Sequence, residues 1–200
     1  STTYTSGSLS QTTKFRAVVQ SGVCSEANSA DTTVTVDPAS VGGSVTGGTT
    51  ICEGSTSGTL TLSGHAGSVV RWESSVSPFS SWTTITNSST TYTSGALTQT
   101  TKFRAVVQSG VCSEANSADT TVTVDPVSVG GSVAGGTTIC EGSTSGTLTL
   151  SGHTGSVVRW ERSISPFSSW SVVPHTSTTY TSGSLSQTTK FRAGRARCRC

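Results

Sequence analysis

Short runs in which apolar and polar residues alternate fill this chain: GTLTLSG, SVVRWES, SSWTTI, TTYTSG, TKFRAVVQ and TTVTVDP. A period of two places every second side chain on one face of a β-strand, and clusters of Gly, Ser, Pro and Asn separate the runs as turns do. No stretch carries the 3.6-residue stripe of an amphipathic helix. The alternation nominates a core. Leu60 and Leu62 share a face of GTLTL, and Val70 and Trp72 share one in the next strand. Phe103, Ala105 and Val107 do so in TKFRAVVQ, and Val122 and Val124 in TTVTV. The set recurs as Leu148, Leu150, Val158 and Trp160. Six or seven short strands per unit predict an all-β fold of two packed sheets, a β-sandwich.

The unit is repeated in tandem. STTYTSG stands at positions 1, 89 and 177, a period of 88 residues. The first two copies differ at 13 of 88 positions, and six of those differences crowd into Thr83–Ser88 against Ser171–Thr176. That period is far longer than a β-helix coil, so it describes modules rather than a solenoid. Asp37-Pro38 and Asp125-Pro126 each end a TTVTV strand and precede a Gly-rich stretch. Proline removes a ladder donor and restricts the residue before it, which suits a module joint. The expected organisation is the C-terminal part of a module at 1–38, a complete module at 39–126, and a third at 127–200 cut before its last strand. The outer pieces lack partner strands, so the molecule is expected to continue at both ends or to cover its open edges with neighbours. The tail Gly194–Cys200, GRARCRC, departs from the repeat, which would read VVQSGVC.

Composition narrows the function. More than a third of the residues are Ser or Thr, 32% are apolar, only 11% are charged, and there is no Met. A disordered linker would lack the strand pattern and carry more net charge. No apolar run approaches a membrane span, and no signal peptide is visible, so membrane insertion is not expected. The net charge of +2 owes much to three arginines among the last six residues. Without them the repeat is near neutral, which argues against nucleic acid or an anionic membrane as partner.

The stretch TTYTSGALTQTTKFRAVVQSGVCSEANSADTTVTVD (90–125) resembles the second half of fibronectin type III modules, with Leu97, Thr101, Phe103, Arg104, Ala105 and Val106 at matching spacing. Phe103 stands where that family usually has Tyr, so the hydroxyl tie of its tyrosine corner is missing. The whole repeat, including TTICEGSTSGTLTLSG and GSVVRWESS, is similar to the immunoglobulin-like repeats of very large surface proteins of gliding, flavobacterium-type bacteria. The resemblance implies tandem immunoglobulin-like modules in an extracellular, cell-surface adhesin or filament. It also implies O-glycosylation at Thr32 and Thr120, each within an Asp-Thr-Thr signal.

The cysteines add one expectation. Cys24, Cys112 and Cys200 lie 88 apart, as do Cys52 and Cys140. Two per Ser/Thr-rich β-module predict a disulfide, Cys52 with Cys112 and Cys140 with Cys200, made outside the reducing cytosol; Cys24 would pair with a residue before Ser1. Closing that loop would stabilise a module by roughly 4 kcal/mol. The spacing fits no zinc pattern. His65 and His153 sit in SGH-x-GS turns and are expected to face solvent. Asp37 and Asp125 supply one carboxylate per joint, short of the six to eight oxygens calcium takes. Arg71, Glu73 and Arg104 are expected to form surface cross-strand pairs. No nucleophile elbow, paired carboxylates or phosphate loop is present, so neither catalysis nor a cofactor or metal is expected.

The leading expectation is a non-catalytic structural and adhesive segment of a long surface fibre, whose partners are neighbouring modules, other copies in the fibre and surface polysaccharide. Phe79, Trp82, Phe167 and Trp170, in the SPFSSW loops, are the candidate ligand contacts. The alternatives are a carbohydrate-binding or spacer module of a secreted enzyme, for which exposed coplanar rings would speak, and a filament self-assembling by strand complementation between cut modules.

Overall fold

The computed structural model describes residues 2–195, and among them every regular element is a β-strand. In chain order these are β1 (Thr13–Phe15), β2 (Val18–Val19), β3 (Ala27–Asn28), β4 (Thr32–Val34), β5 (Ser44–Thr46), β6 (Thr50–Cys52) and β7 (Leu60–Ser63). Then follow β8 (Ser68–Val76), β9 (Thr83–Ile85), β10 (Thr91–Tyr92), β11 (Thr101–Gln108), β12 (Ala115–Asn116) and β13 (Thr120–Asp125). The last six are β14 (Val129–Ala134), β15 (Thr147–Thr154), β16 (Val157–Ile164), β17 (Ser171–Val173), β18 (Thr179–Thr181) and β19 (Thr189–Arg195). The sheets are stacked in the manner of a sandwich. The chain divides into two compact units: Ser1–Gly48 with Gly58–Thr93 and Lys102–Thr121, and Thr49–Ser57 with Ser94–Thr101 and Val122–Cys200.

In the first unit, β5, β7 and β10 form one sheet, and β8 lies between β9 and β11 in another, with β12 beside β11. Leu60, Leu62, Trp72, Phe103 and Ala105 are buried, as the alternation predicts. Tyr92 stacks between Trp72 (5.6 Å) and Phe103 (5.8 Å), and the Trp72 indole N–H donates to the Ser89 carbonyl at 2.9 Å. A buried indole needs that acceptor. Residues 2–38 form only two-stranded pairings, β1 with β4 and β2 with β3. Tyr4, Val18, Val19 and Val34 are exposed there, although Val106, Val107 and Val122, the same residues one period later than the last three, are fully buried.

The second unit holds the sheets β14-β15-β18 and β17-β16-β19 around Leu148, Leu150, Val157 and Trp160. Tyr180 again stacks between Trp160 (5.4 Å) and Phe191 (5.7 Å), and the Trp160 N–H donates to Ser177 O at 2.9 Å. Here too β13 runs parallel to β6, Val124 beside Ile51 and Asp125 beside Cys52. Two buried serine pairs, absent from the expectations, fasten loops with reciprocal bonds. The Ser57 and Ser94 N–H groups each donate to the other's hydroxyl at 2.9 Å, and the Ser145 and Ser182 N–H groups do so at 2.9 and 3.0 Å.

One core assignment fails. Val70 and Val158 are exposed, and Val69 and Val157 are buried in their place. The register of β16 against β19 shifts between Val157 and Arg159. A bulge there sets two residues against one, so the strict alternation read from Trp160 lands one position off.

The first module joint is ordered within its unit. The Asp37 carboxylate accepts the Val111 N–H at 3.2 Å, and the Ser40 hydroxyl accepts the Ser109 N–H at 2.9 Å. Gly110, at φ 49°, lies against the Asp37 carboxylate, where a Cβ would collide with it.

Candidate functional site

The β8–β9 and β16–β17 connections each hold an aromatic residue in the left-handed region. Phe79 has φ 63° and Phe167 φ 64°, with their N–H groups bonded at 2.7 Å to Val76 O and Ile164 O. A side chain there costs roughly 1–2 kcal/mol over glycine. The same cost borne twice by Phe marks its ring as the feature retained.

Those rings meet the cations of the neighbouring strand. Alternation along TKFRA sends Phe103 inward and Lys102 and Arg104 outward. Lys102 Nζ lies 5.3 Å from the Phe79 ring centre and Arg104 Cζ 4.1 Å from that of Trp82. In the second unit Lys190 lies 4.3 Å from Phe167 and Arg192 4.0 Å from Trp170. Behind the tryptophan, Glu73 bonds both Arg104 (2.7 Å) and Arg71 (2.8 Å), and Arg71 reaches Glu114 at 2.8 Å. Glu161 repeats this with Arg159 at 2.8 Å and Arg192 at 2.7 Å. Each unit therefore carries a ladder of ring, guanidinium, carboxylate and guanidinium across one sheet face.

Electrostatics fix the protonation states. Burial is the largest influence on Glu73 and pushes its pKa up, but the bonds and charges of Arg71 and Arg104 outweigh it and the net shift is down. Glu161 is lowered by bonding to Arg159 and Arg192, Asp119 by bonding to Lys102, and Arg71 is raised by bonding to Glu73 and Glu114. All three carboxylates stay ionised at neutral pH and cannot serve as general acids.

The four candidate contacts are thus brought together in pairs, but not as exposed coplanar rings. Phe79, Trp82 and Phe167 are half-buried, and Trp170 is 38% exposed. A cation occupies one face of each. The Arg71–Glu73–Arg104 pairing forms as anticipated, but at a buried carboxylate rather than on the open surface. The stacking of Arg104 on Trp82 was not anticipated, although the outward phase of Arg104 in TKFRA was there to signal it.

The disulfide pairing is corrected. Cys112 and Cys140 are free thiols, as is Cys24. Cys52 is engaged in a disulfide, but not with Cys112. The loop after Cys52 bonds Leu97, ahead of β11, whereas Cys112 follows the end of that strand and its thiol lies 3.4 Å from Pro38 O. Cys200, the expected partner of Cys140, lies outside the described residues, with most of the aberrant tail. His65 and His153 are half-buried rather than solvent-facing, and His65 Nδ1 is enclosed without a partner. Thr32 is exposed on β4, whereas Thr120 is half-buried on β13. Among the described residues no group of three His, Cys, Asp or Glu is arranged to hold a metal ion.

Fold and site together define an all-β protein of repeated sandwich-like units, each with an aromatic–cationic face. The chain belongs to the family described as a domain of unknown function, DUF8696, which matches residues 1–38, 41–126 and 129–200. No curated protein matches it.

Proposed function

We propose that the chain is a structural and adhesive segment of a long extracellular surface fibre, built from immunoglobulin-like modules repeating every 88 residues. The observation that carries this reading is the recurrence, one period apart, of a whole working set: Trp72 and Trp160 in the core, Glu73 and Glu161 in the ladder, Trp82 and Trp170 at its end. Duplicating a face serves valency and reach, because weak contacts joined on one chain multiply. The Ser/Thr-rich, nearly neutral composition suits an extracellular setting; the cysteines no longer argue for it, since Cys112 and Cys140 are unpaired.

The test displays the purified chain on beads at low and high density over polysaccharide-coated and cell surfaces. Retention that grows about 10²–10⁴-fold with density supports the reading. Equal or absent retention at both densities overturns it. The exposure of Trp170 favours surface polysaccharide as the contact, with a sugar ring on the indole face opposite Arg192. Trp170→Ala would then lower retention.

A further inference from the structure

The two ladders share their anchors residue for residue. Arg71, Glu73, Lys102 and Arg104 recur one period later as Arg159, Glu161, Lys190 and Arg192, and the loop SPFSSW reads the same at 77–82 and 165–170. The segment that leaves this loop breaks the identity. TTITNS at 83–88 becomes SVVPHT at 171–176 and holds six of the 13 differences between the first two copies. β9 and β17 lie in that segment, and each is the edge of its sheet.

Strand register separates the changes that reach the ladder from those that do not. Residues directly opposite on antiparallel strands send their side chains to the same face. Ile85 stands opposite Trp72 and Val173 opposite Trp160, so both turn toward the core, and one apolar residue replaces another. Thr83 and Ser171 both carry a hydroxyl. Thr84 stands opposite Glu73 and Val172 opposite Glu161. That pair lies on the ladder face, beside the carboxylate that holds Arg104 or Arg192. Each member is within about 7 Å, Cα to Cα, of the tryptophan two residues before it. Thr84 is exposed, and Val172 is 63% exposed.

In these strands, then, one position changes the chemistry of the face. Threonine and valine have nearly the same shape and differ by a hydroxyl against a methyl. The hydroxyl both donates and accepts a hydrogen bond, and the methyl offers apolar contact alone. Folding does not call for the exchange, because both residues are β-branched and suit a strand, while an outward valine leaves apolar surface in water. A sugar ring presents hydroxyls at its edge, or an acyl methyl where one of them is substituted. These are the two groups that a threonine and a valine beside an indole tell apart.

We propose that Thr84 and Val172 set the sugar preference of two sites with a common anchor. Thr84 selects a ring with a free hydroxyl beside Trp82, and Val172 selects a ring that carries an acyl group beside Trp170. The proposal rests on the reading of this face as the polysaccharide contact.

Frontal affinity chromatography over the immobilised full chain tests it. The probes are cellotetraose and chitotetraose, which share one backbone and differ by a hydroxyl against an acetamido group on each ring. Thr84→Val gives both sites the apolar form, and Val172→Thr gives both the hydroxyl form. The ratio of chitotetraose to cellotetraose retention should rise in the first variant and fall in the second, about tenfold apart, from one buried methyl against one hydrogen bond. The double variant exchanges the two sites and should return the wild-type ratio. Unchanged urea midpoints for both variants are expected of outward, exposed positions, and retention is compared at equal folded fraction. Ratios that stay equal in the two single variants, or that move in the opposite sense, overturn the proposal while leaving the polysaccharide contact standing. A wild-type chain that retains neither sugar overturns that contact, and the proposal with it.

Discussion

Replacing Glu73 with Gln tests whether the ladder holds the fold together. The carboxylate is 9% exposed and bonded at once to Arg71 and Arg104, whose side chains are 28% and 22% exposed. Removing one partner of a fully buried pair costs about 3–5 kcal/mol. Here water reaches both guanidiniums and Gln keeps one acceptor, so the expected loss is about 2 kcal/mol, in line with charge-assisted bonds. For a module of this size that lowers Tm by about 10 °C. The pH dependence follows from the same contacts. The folded-state pKa of Glu73 lies below its ordinary value, so the stabilisation is present above the ordinary carboxylate pKa and lost as pH falls through the depressed one. Urea unfolding followed by tryptophan fluorescence should show the wild type and Glu73→Gln well separated at neutral pH and converging in acid. Glu161→Gln supplies an internal comparison: its partners Arg159 and Arg192 are 43% and 52% exposed, so its cost should be smaller. The reasoning is refuted if Glu73→Gln stays within about 0.5 kcal/mol of wild type, the range of ordinary surface changes, or if the gap does not close in acid.

Three further outcomes are expected. Phe79→Gly should be more stable than Phe79→Ala by about 1 kcal/mol in urea unfolding, because only Gly relieves the left-handed backbone at φ 63°; equal stabilities would remove the strain argument. Gly110→Ala should destabilise the first unit by at least about 2 kcal/mol through its collision with the Asp37 carboxylate, and Asp37→Ala in the same chain should restore part of that loss in a double-mutant cycle. Cys112→Ser should alter stability by less than about 1 kcal/mol, the worth of an ordinary hydrogen bond. A drop near 4 kcal/mol on thermal melting would reinstate a loop-closing disulfide.

The parts of the fold legible in the sequence were those set by a strict period. Leu60, Leu62, Trp72, Phe103 and Ala105 are buried because alternation fixes a strand's inward face. Val158 was misplaced because a bulge inserts a residue without leaving any turn-like signal in SVVRW. The disulfide expectation failed for a related reason: spacing of 60 residues says nothing about which end of a strand each cysteine occupies. The loops holding Phe79 and Trp82 were identified from their aromatics, but their role depends on Lys102 and Arg104 arriving from β11. That pairing is a tertiary fact, and only the outward phase of TKFRA hinted at it. The serine latches Ser57–Ser94 and Ser145–Ser182 were hidden by composition, since in a chain so rich in serine no single one stands out.

Each module joint is fastened by hydrogen bonds on both sides of its proline. The strand segment Thr32–Asp37 ends at the residue whose carboxylate accepts the Val111 N–H of the next module, and Ser40 just beyond accepts Ser109 N–H. One period later Asp125 O accepts the Glu53 N–H, and the Glu53 carboxylate in turn accepts the Val127 N–H at 3.5 Å beyond the joint. A strand that seats in one module is therefore tethered within a few residues to the next. The two Asp-Pro joints are thus fastened by side-chain and backbone hydrogen bonds on either side of a proline that can donate none itself.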